Sequence, residues 1–149
     1  MTKILIIYSS IGGNTELVVT KISELLESSH FVKIQRVDTT KPQDIESFDL
    51  TILASPTYGQ GTLESHFPTF LELIKNQITG KKFAVVGLGD TKYYPEYLTE
   101  SGQILADFVT SNSGILITPA LRIGTPQLKF IDKLVPGWVK RVEKGLGVY

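Results

Sequence analysis

Ser9, Ser10, Asn14 and Thr15 can all donate hydrogen bonds without carrying charge, and they crowd one short stretch around Ile11, Gly12 and Gly13. The stretch follows the apolar run Ile4-Leu5-Ile6-Ile7 and precedes a helical pattern, so a strand leads into a loop that opens a helix. Backbone N–H groups at a helix start lack partners within the helix, and the helix dipole favours negative charge there. The hydroxyl and amide side chains add donors, and the paired glycines let the backbone turn tightly against a ligand. No Lys or Arg lies in the loop. The chemistry this supports is capture of a phosphate by neutral donors. The same residues also suit an ordinary capped turn, and the loop alone does not separate the two.

Two later loops add chemistry of a different kind. Ser55-Pro56-Thr57-Tyr58-Gly59-Gln60-Gly61 follows one apolar run, and Gly87-Leu88-Gly89-Asp90 with Tyr93, Tyr94 and Tyr97 follows another. Tyrosines on loops at a sheet edge are poorly placed for a core. Flat aromatics suit a flat ligand ring, with glycines giving backbone groups access to its polar edge. Phosphate at one end and a sandwiched ring at the other describe a mononucleotide-like cofactor.

Composition removes other chemistries. The chain has 149 residues, 42% of them hydrophobic, enough for one domain with a real core. It has no cysteine, which excludes disulfides, thiol catalysis and thiolate-held metals or iron–sulfur clusters. The two histidines, His30 and His66, are far apart and read as surface or packing residues rather than metal ligands. No apolar stretch reaches membrane-span length and no signal-peptide pattern precedes the first strand, so a cytoplasmic protein without membrane insertion is expected. Net charge is zero, but residues 1–121 carry −4 and residues 122–149 carry +4. The C-terminal bases are spread as on the outer face of a helix, with no basic block interleaved with aromatics, so nucleic acid is not expected as a partner.

The elements that must position these loops follow from periodicity. Strands are expected at Ile4–Tyr8, Phe31–Val37 (partly covered, at an edge), Leu50–Ala54, Lys82–Leu88 and Ile115–Ile117. Helices are expected over about Asn14–Glu27 with Leu17 inside, from Glu64 or Ser65 to Asn76, and from Pro95 or Glu96 to Ser111 with Gly102 as a weak point of about 1 kcal/mol. A last helix runs from Thr125-Pro126 towards Lys144, with Leu134 and Trp138 inside and a kink or interruption at Pro136-Gly137. A short turn is expected at Pro42–Ile45. The alternation predicts one α/β domain over residues 1–149: a three-layer, doubly wound sandwich on a five-stranded parallel sheet of order 2-1-3-4-5. Such folds bind ligands at the strand carboxyl ends, where all three loops meet.

At these residues the chain resembles the flavodoxins, of the short-chain kind, along essentially its whole length. Ser10-Ile11-Gly12-Gly13-Asn14-Thr15 matches the family's phosphate loop except at Gly12, where threonine is usual. Ser55-Pro56-Thr57-Tyr58-Gly59 resembles the second flavin loop, and Gly87-Leu88-Gly89-Asp90-Thr91-Lys92-Tyr93 the third. The resemblance implies bound FMN and a low-potential one-electron carrier, not an enzyme with its own turnover. It implies that Ser10, Asn14 and Thr15 bind the phosphate with backbone N–H groups from Ile11 to Thr15; Ser9, a further donor of the same loop, is expected at the cofactor with them. Pro56 and Thr57 would border the ribityl chain, Tyr58 the inner and Tyr93 the outer ring face, with Tyr97 at the rim. Asp90 would accept from the flavin's N3–H or meet the pyrimidine edge with its backbone, Gly87 and Gly89 of the same motif would be cofactor-binding, and Gly59 would offer its carbonyl to N5–H of reduced flavin. Glu64, Asp90, Glu96 and Glu100 would form an acidic rim against Lys92. The implied partners are redox proteins such as a ferredoxin/flavodoxin-NADP reductase, met as a monomer. Two other functions fit the fold: an FMN-dependent NAD(P)H:quinone oxidoreductase, which needs covering insertions this chain lacks, and a flavin-free interaction module.

Overall fold

The computed structural model describes residues 2–9, 13–58, 62–89 and 100–147, without the side chains of residues 125 and 126. Four runs build the sheet's centre: β1 (Lys3–Tyr8), β2 (Phe31–Arg36), β3 (Leu50–Tyr58) and, after the two-residue β4 (Thr62–Leu63), β5 (Lys82–Gly89). The order β2-β1-β3-β5-β6 is parallel throughout, and the short β4 pairs antiparallel with the end of β3. This is the expected 2-1-3-4-5 arrangement, with β4 shifting the numbering. The fifth position is shared by β6 (Ile115–Leu116) and β7 (Leu121–Gly124), each pairing with β5. The single last strand expected at Ile115–Ile117 is therefore two pieces, separated around Pro119, which cannot donate to a ladder.

Helices cover both faces. Ile4, Ile6, Ile52, Ala54 and Val86 point to the side of α1 (Asn14–Leu26) and α4 (Ile131–Gly145). Leu5, Ile7, Leu53, Phe83 and Val85 point to α2 (His66–Ile74) and α3 (Glu100–Ser111). Successive strand residues thus feed two separate cores, which is why these strands read as unbroken apolar runs. β2 has one neighbour only, and Phe31 and Ile34 are exposed, as its broken alternation predicts.

Several expectations are corrected. Leu17 and Leu134 are 51% and 37% exposed. In α1 the buried stripe is Thr15, Val18, Val19, Ile22, Ser23 and Leu26, a spacing that leaves Leu17 off the face. In α4 the stripe is Val135, Trp138, Val139 and Val142, and Leu134 lies beside it. α4 is preceded by a 3-10 turn over Thr125–Phe130 and runs through Pro136 and Gly137 without interruption. Pro136 removes a bond to the carbonyl of Asp132, a residue exposed enough for water to replace it, while the buried stripe holds the helix to the sheet. Trp138 is 1% exposed and donates from Nε1 to the Pro119 carbonyl at 3.0 Å, a structural role. Another 3-10 turn, Pro42–Ser47, lies where a turn is expected. His30 is a packing residue, 6% exposed, with Nε2 at 3.2 Å from the Glu143 carboxylate. Among the described residues no helix is long and apolar enough to cross a membrane, and no cluster of side chains could hold a metal.

Candidate functional site

The sheet registers bring the ends of β1, β3 and β5 side by side. Tyr8 pairs with Ala54, the Ser9 N–H donates to the Ala54 carbonyl at 3.2 Å, and Thr57 pairs with Gly89. The chain therefore leaves the sheet three times along one edge, at the switch point between β1 and β3.

The first exit leads into the start of α1. Gly13 is the N-cap of α1 and sits at φ +86°, a left-handed conformation that a side chain would strain. Its carbonyl accepts from the Leu17 N–H at 3.0 Å, but glycine has no side-chain oxygen with which to cap the first-turn N–H groups. Asn14 is exposed and Thr15 buried at the start of the helix. Ser9 is 2% exposed, and its Oγ has no hydrogen-bond partner among the described residues. A buried hydroxyl left without a partner costs about 1–3 kcal/mol, so an acceptor supplied from outside is favoured there. A buried donor without a partner among the described residues, beside a helix start whose glycine N-cap supplies no side-chain oxygen, fits a phosphate. The nearby cation belongs to the neighbouring strand: Arg36 lies over the Tyr8 ring at 5.8 Å and its Nε is 3.1 Å from Asp38 Oδ1. The Asp38 carboxylate pushes the Arg36 guanidinium pKa above its ordinary value.

The second exit is more structured than a loop. Ser55–Gly61 reads as loop from its Pro and Gly residues. Yet Ser55, Pro56 and Thr57 continue β3 beside Gly87, Leu88 and Gly89, and Tyr58 pairs with Thr62 in β4. Ladder partners on both sides override local turn chemistry here. Thr57 and Tyr58 point to opposite faces. The Thr57 hydroxyl donates to Ser101 Oγ at 2.9 Å and accepts from the Ser101 N–H at 3.0 Å, so it is committed to α3. Tyr58 is half-buried, and its buried hydroxyl has no hydrogen-bond partner among the described residues. Burial pushes the Tyr58 phenol pKa up, the Glu64 charge adds to that, and Arg36 opposes it.

Glu64 is not a rim charge. It is 5% exposed; both carboxylate oxygens accept from the His66 N–H at 3.0 Å, and one also accepts from Ser65 Oγ at 3.3 Å and contacts His66 Nδ1. The carboxylate is spent on the start of α2, where the helix dipole favours it. Gly87 has a packing role. A Cβ built on it would lie 2.3 Å from the Gly102 backbone nitrogen, so its glycine serves the approach of α3 to β5. Gly102, a weak point by propensity, is the other half of that contact.

A family model described as flavodoxin matches residues 6–129. The chain belongs to the flavodoxin family. A flavodoxin of Trichodesmium erythraeum is 26% identical over 99% of this chain and all of its own length. Oxidised flavodoxin 2 from Bacillus cereus is 29% identical with a TM-score of 0.83, covering 95% of this chain and 99% of that one. The K13G mutant of Fusobacterium nucleatum flavodoxin, bound to flavin mononucleotide, has a TM-score of 0.86 at 23% identity, covering 97% and 96%.

Of the expected cofactor residues, Ser9 lies beside Ala54 of β3, Pro56 and Thr57 pair with Leu88 and Gly89, Tyr58 ends β3, and Gly13, Asn14 and Thr15 open α1. Ser10, Ile11, Gly12, Gly59, Asp90, Tyr93 and Tyr97 lie outside the described residues. Sequence reasoning missed Ser101. The signal was present: Ser101, Leu105 and Val109 recur every fourth residue on the buried face of α3. Tyr58→Phe is expected to leave the unfolding free energy of the flavin-free protein unchanged or raise it by about 1 kcal/mol, because it deletes an unsatisfied buried hydroxyl. Urea unfolding checks this. Because burial raises the Tyr58 pKa on folding, stability is greatest below the unfolded phenol pKa, where the phenol is protonated in both states, and falls as pH rises through the folded one.

Proposed function

We propose that the chain binds FMN at the edge formed by β1, β3 and β5 and carries electrons one at a time between redox proteins, without turnover of its own. The observation that supports this is the buried Ser9 hydroxyl, without a hydrogen-bond partner among the described residues, beside the glycine N-cap of α1 and next to β3, which pairs in turn with β5. When bound, FMN supplies the electron chemistry. Ser9, Ser10, Asn14, Thr15 and the first-turn N–H groups of α1 hold its phosphate. Pro56 and Thr57 border the chain between phosphate and ring. Tyr58 and Tyr93 flank the ring, and Gly59, Gly89 and Asp90 meet its polar edge. Its partners are redox proteins, a ferredoxin/flavodoxin-NADP reductase among them, met by a monomer in the cytoplasm.

The test separates a carrier from an NAD(P)H:quinone oxidoreductase. Under anaerobic conditions NADPH alone should leave the FMN-loaded protein oxidised, and a trace of ferredoxin-NADP reductase should start its bleaching. Steady oxidation of NADPH by the chain alone with a quinone would establish the enzyme instead.

A further inference from the structure

Glu64 is a buried carboxylate beside the end of β3. Its N–H donates to Ser55 Oγ at 3.3 Å, and the residues before it pair with β3, Leu63 with Thr57 and Thr62 with Tyr58. Its charge reaches Tyr58, where it adds to the burial that pushes the phenol pKa up. Among the described residues its only basic contact is His66, whose Nδ1 meets one carboxylate oxygen while the side chain stays 57% exposed to water. A buried charge is therefore balanced by a ring that exchanges protons with solvent. The other charged groups nearby are already paired. Asp38 faces His66 across a surface hollow, but Arg36 Nε holds it at 3.1 Å. On α2 itself, Glu72 is bonded to Lys75. The Tyr58 phenol, with its pKa pushed up, stays protonated through the neutral range. An imidazole ordinarily changes charge between about pH 5 and 8. With His66 protonated the pair carries no net charge, and with His66 neutral it carries a negative one that salt screens little because Glu64 is buried.

We infer that the Glu64–His66 pair is a pH-responsive counter-charge that tunes the second midpoint of the bound flavin, holding it higher when His66 is protonated than when it is neutral. This rests on the FMN-carrier reading, in which Tyr58 flanks the ring. Full reduction adds negative charge to that ring, which an unbalanced carboxylate next to Tyr58 opposes and an imidazolium on the carboxylate relieves. The second electron comes from the donor protein. The linked proton is taken from water at His66 Nε2, while the Nδ1–H stays on Glu64. By reciprocity, reduction of the flavin favours protonation of His66 as much as protonation of His66 favours reduction.

The test compares the FMN-loaded unmodified protein with His66→Asn and Glu64→Gln, on either side of the imidazole range at about pH 5.5 and about pH 8.5. Both midpoints are read by anaerobic titration followed by absorbance. Effects of pH on the flavin itself are common to the three proteins and cancel in their differences. Lowering the pH should raise the second midpoint of the unmodified protein further than that of either variant, by about threefold in relative affinity, or about 28 mV for one electron. The chain has only two histidines, so ring-proton NMR reads His66 directly. At neutral pH its protonated fraction should be larger in the fully reduced protein than in the oxidised one. The same pH dependence in the unmodified protein and His66→Asn, or an unchanged protonated fraction of His66, would overturn the inference. If Glu64→Gln does not fold, His66→Asn decides alone, because the side chain it replaces is exposed. Failure of the unmodified protein to bind FMN would show before any titration and would instead overturn the carrier reading, and the inference with it.

Discussion

Gly87→Ala should lower the thermal unfolding midpoint by roughly 6–12 °C. The added Cβ would lie 2.3 Å from the Gly102 nitrogen, 2.6 Å from its Cα and 2.9 Å from Ser101 Oγ. Two of these neighbours are backbone atoms, which cannot rotate away. α3 must lift from β5, and the hydrogen bonds joining Ser101 to Ser55 and Thr57 stretch with it. Overpacking of this kind costs about 3 kcal/mol at the upper end of its usual range, and each kcal/mol shifts the midpoint by about 2–4 °C at this chain length.

The partner glycine gives the opposite outcome. A Cβ on Gly102 would meet Arg122 Cγ at 3.4 Å, Arg122 Nε at 3.5 Å and Gly87 Cα at 3.5 Å, all ordinary contacts. Alanine is better than glycine in a helix by about 1 kcal/mol, so Gly102→Ala should unfold at the same temperature or higher. Calorimetry of the two variants side by side reads the asymmetry. Equal losses would mean that α3 does not approach β5 as closely as described.

The fold was legible where burial leaves a local mark. β1, β3 and β5 are covered on both faces and read as continuous apolar runs; β2, at the edge, reads as a broken alternation. Helix faces were legible to within one neighbour: Leu17 and Leu134 are apolar but sit one position off the buried stripe. Less legible was anything decided by a partner distant in sequence. Pro56 argued against a strand, yet β5 and β4 extend the ladder past it. Glu64 looks like a rim charge until α2 claims its carboxylate. Gly87 reads as a ligand approach and Gly102 as a helix defect, because neither shows alone that they face each other. At the site, the cradle's neutral character was visible in residue types. The commitment of Thr57 to Ser101 was not, since it depends on where α3 lands.

The phosphate carries the second large effect. Riboflavin has the ring of FMN without the phosphate, so on the proposed reading the two ligands differ where Ser9, Gly13 and the first turn of α1 would act. Two charge-assisted hydrogen bonds of about 1.5 kcal/mol each give about 3 kcal/mol, a preference of roughly 100-fold. Because the loop holds no Lys or Arg, most of that preference should survive added salt. Gly13→Ala would shrink it, since the left-handed φ of +86° costs an alanine about 1–2 kcal/mol and the helix start must move to relieve it. The direct measurement is a fluorescence titration of the flavin-free protein with FMN and with riboflavin in the same buffer. A roughly 100-fold preference for FMN would support the neutral cradle as its phosphate anchor, and equal affinity for the two flavins, or no binding of either, would contradict it.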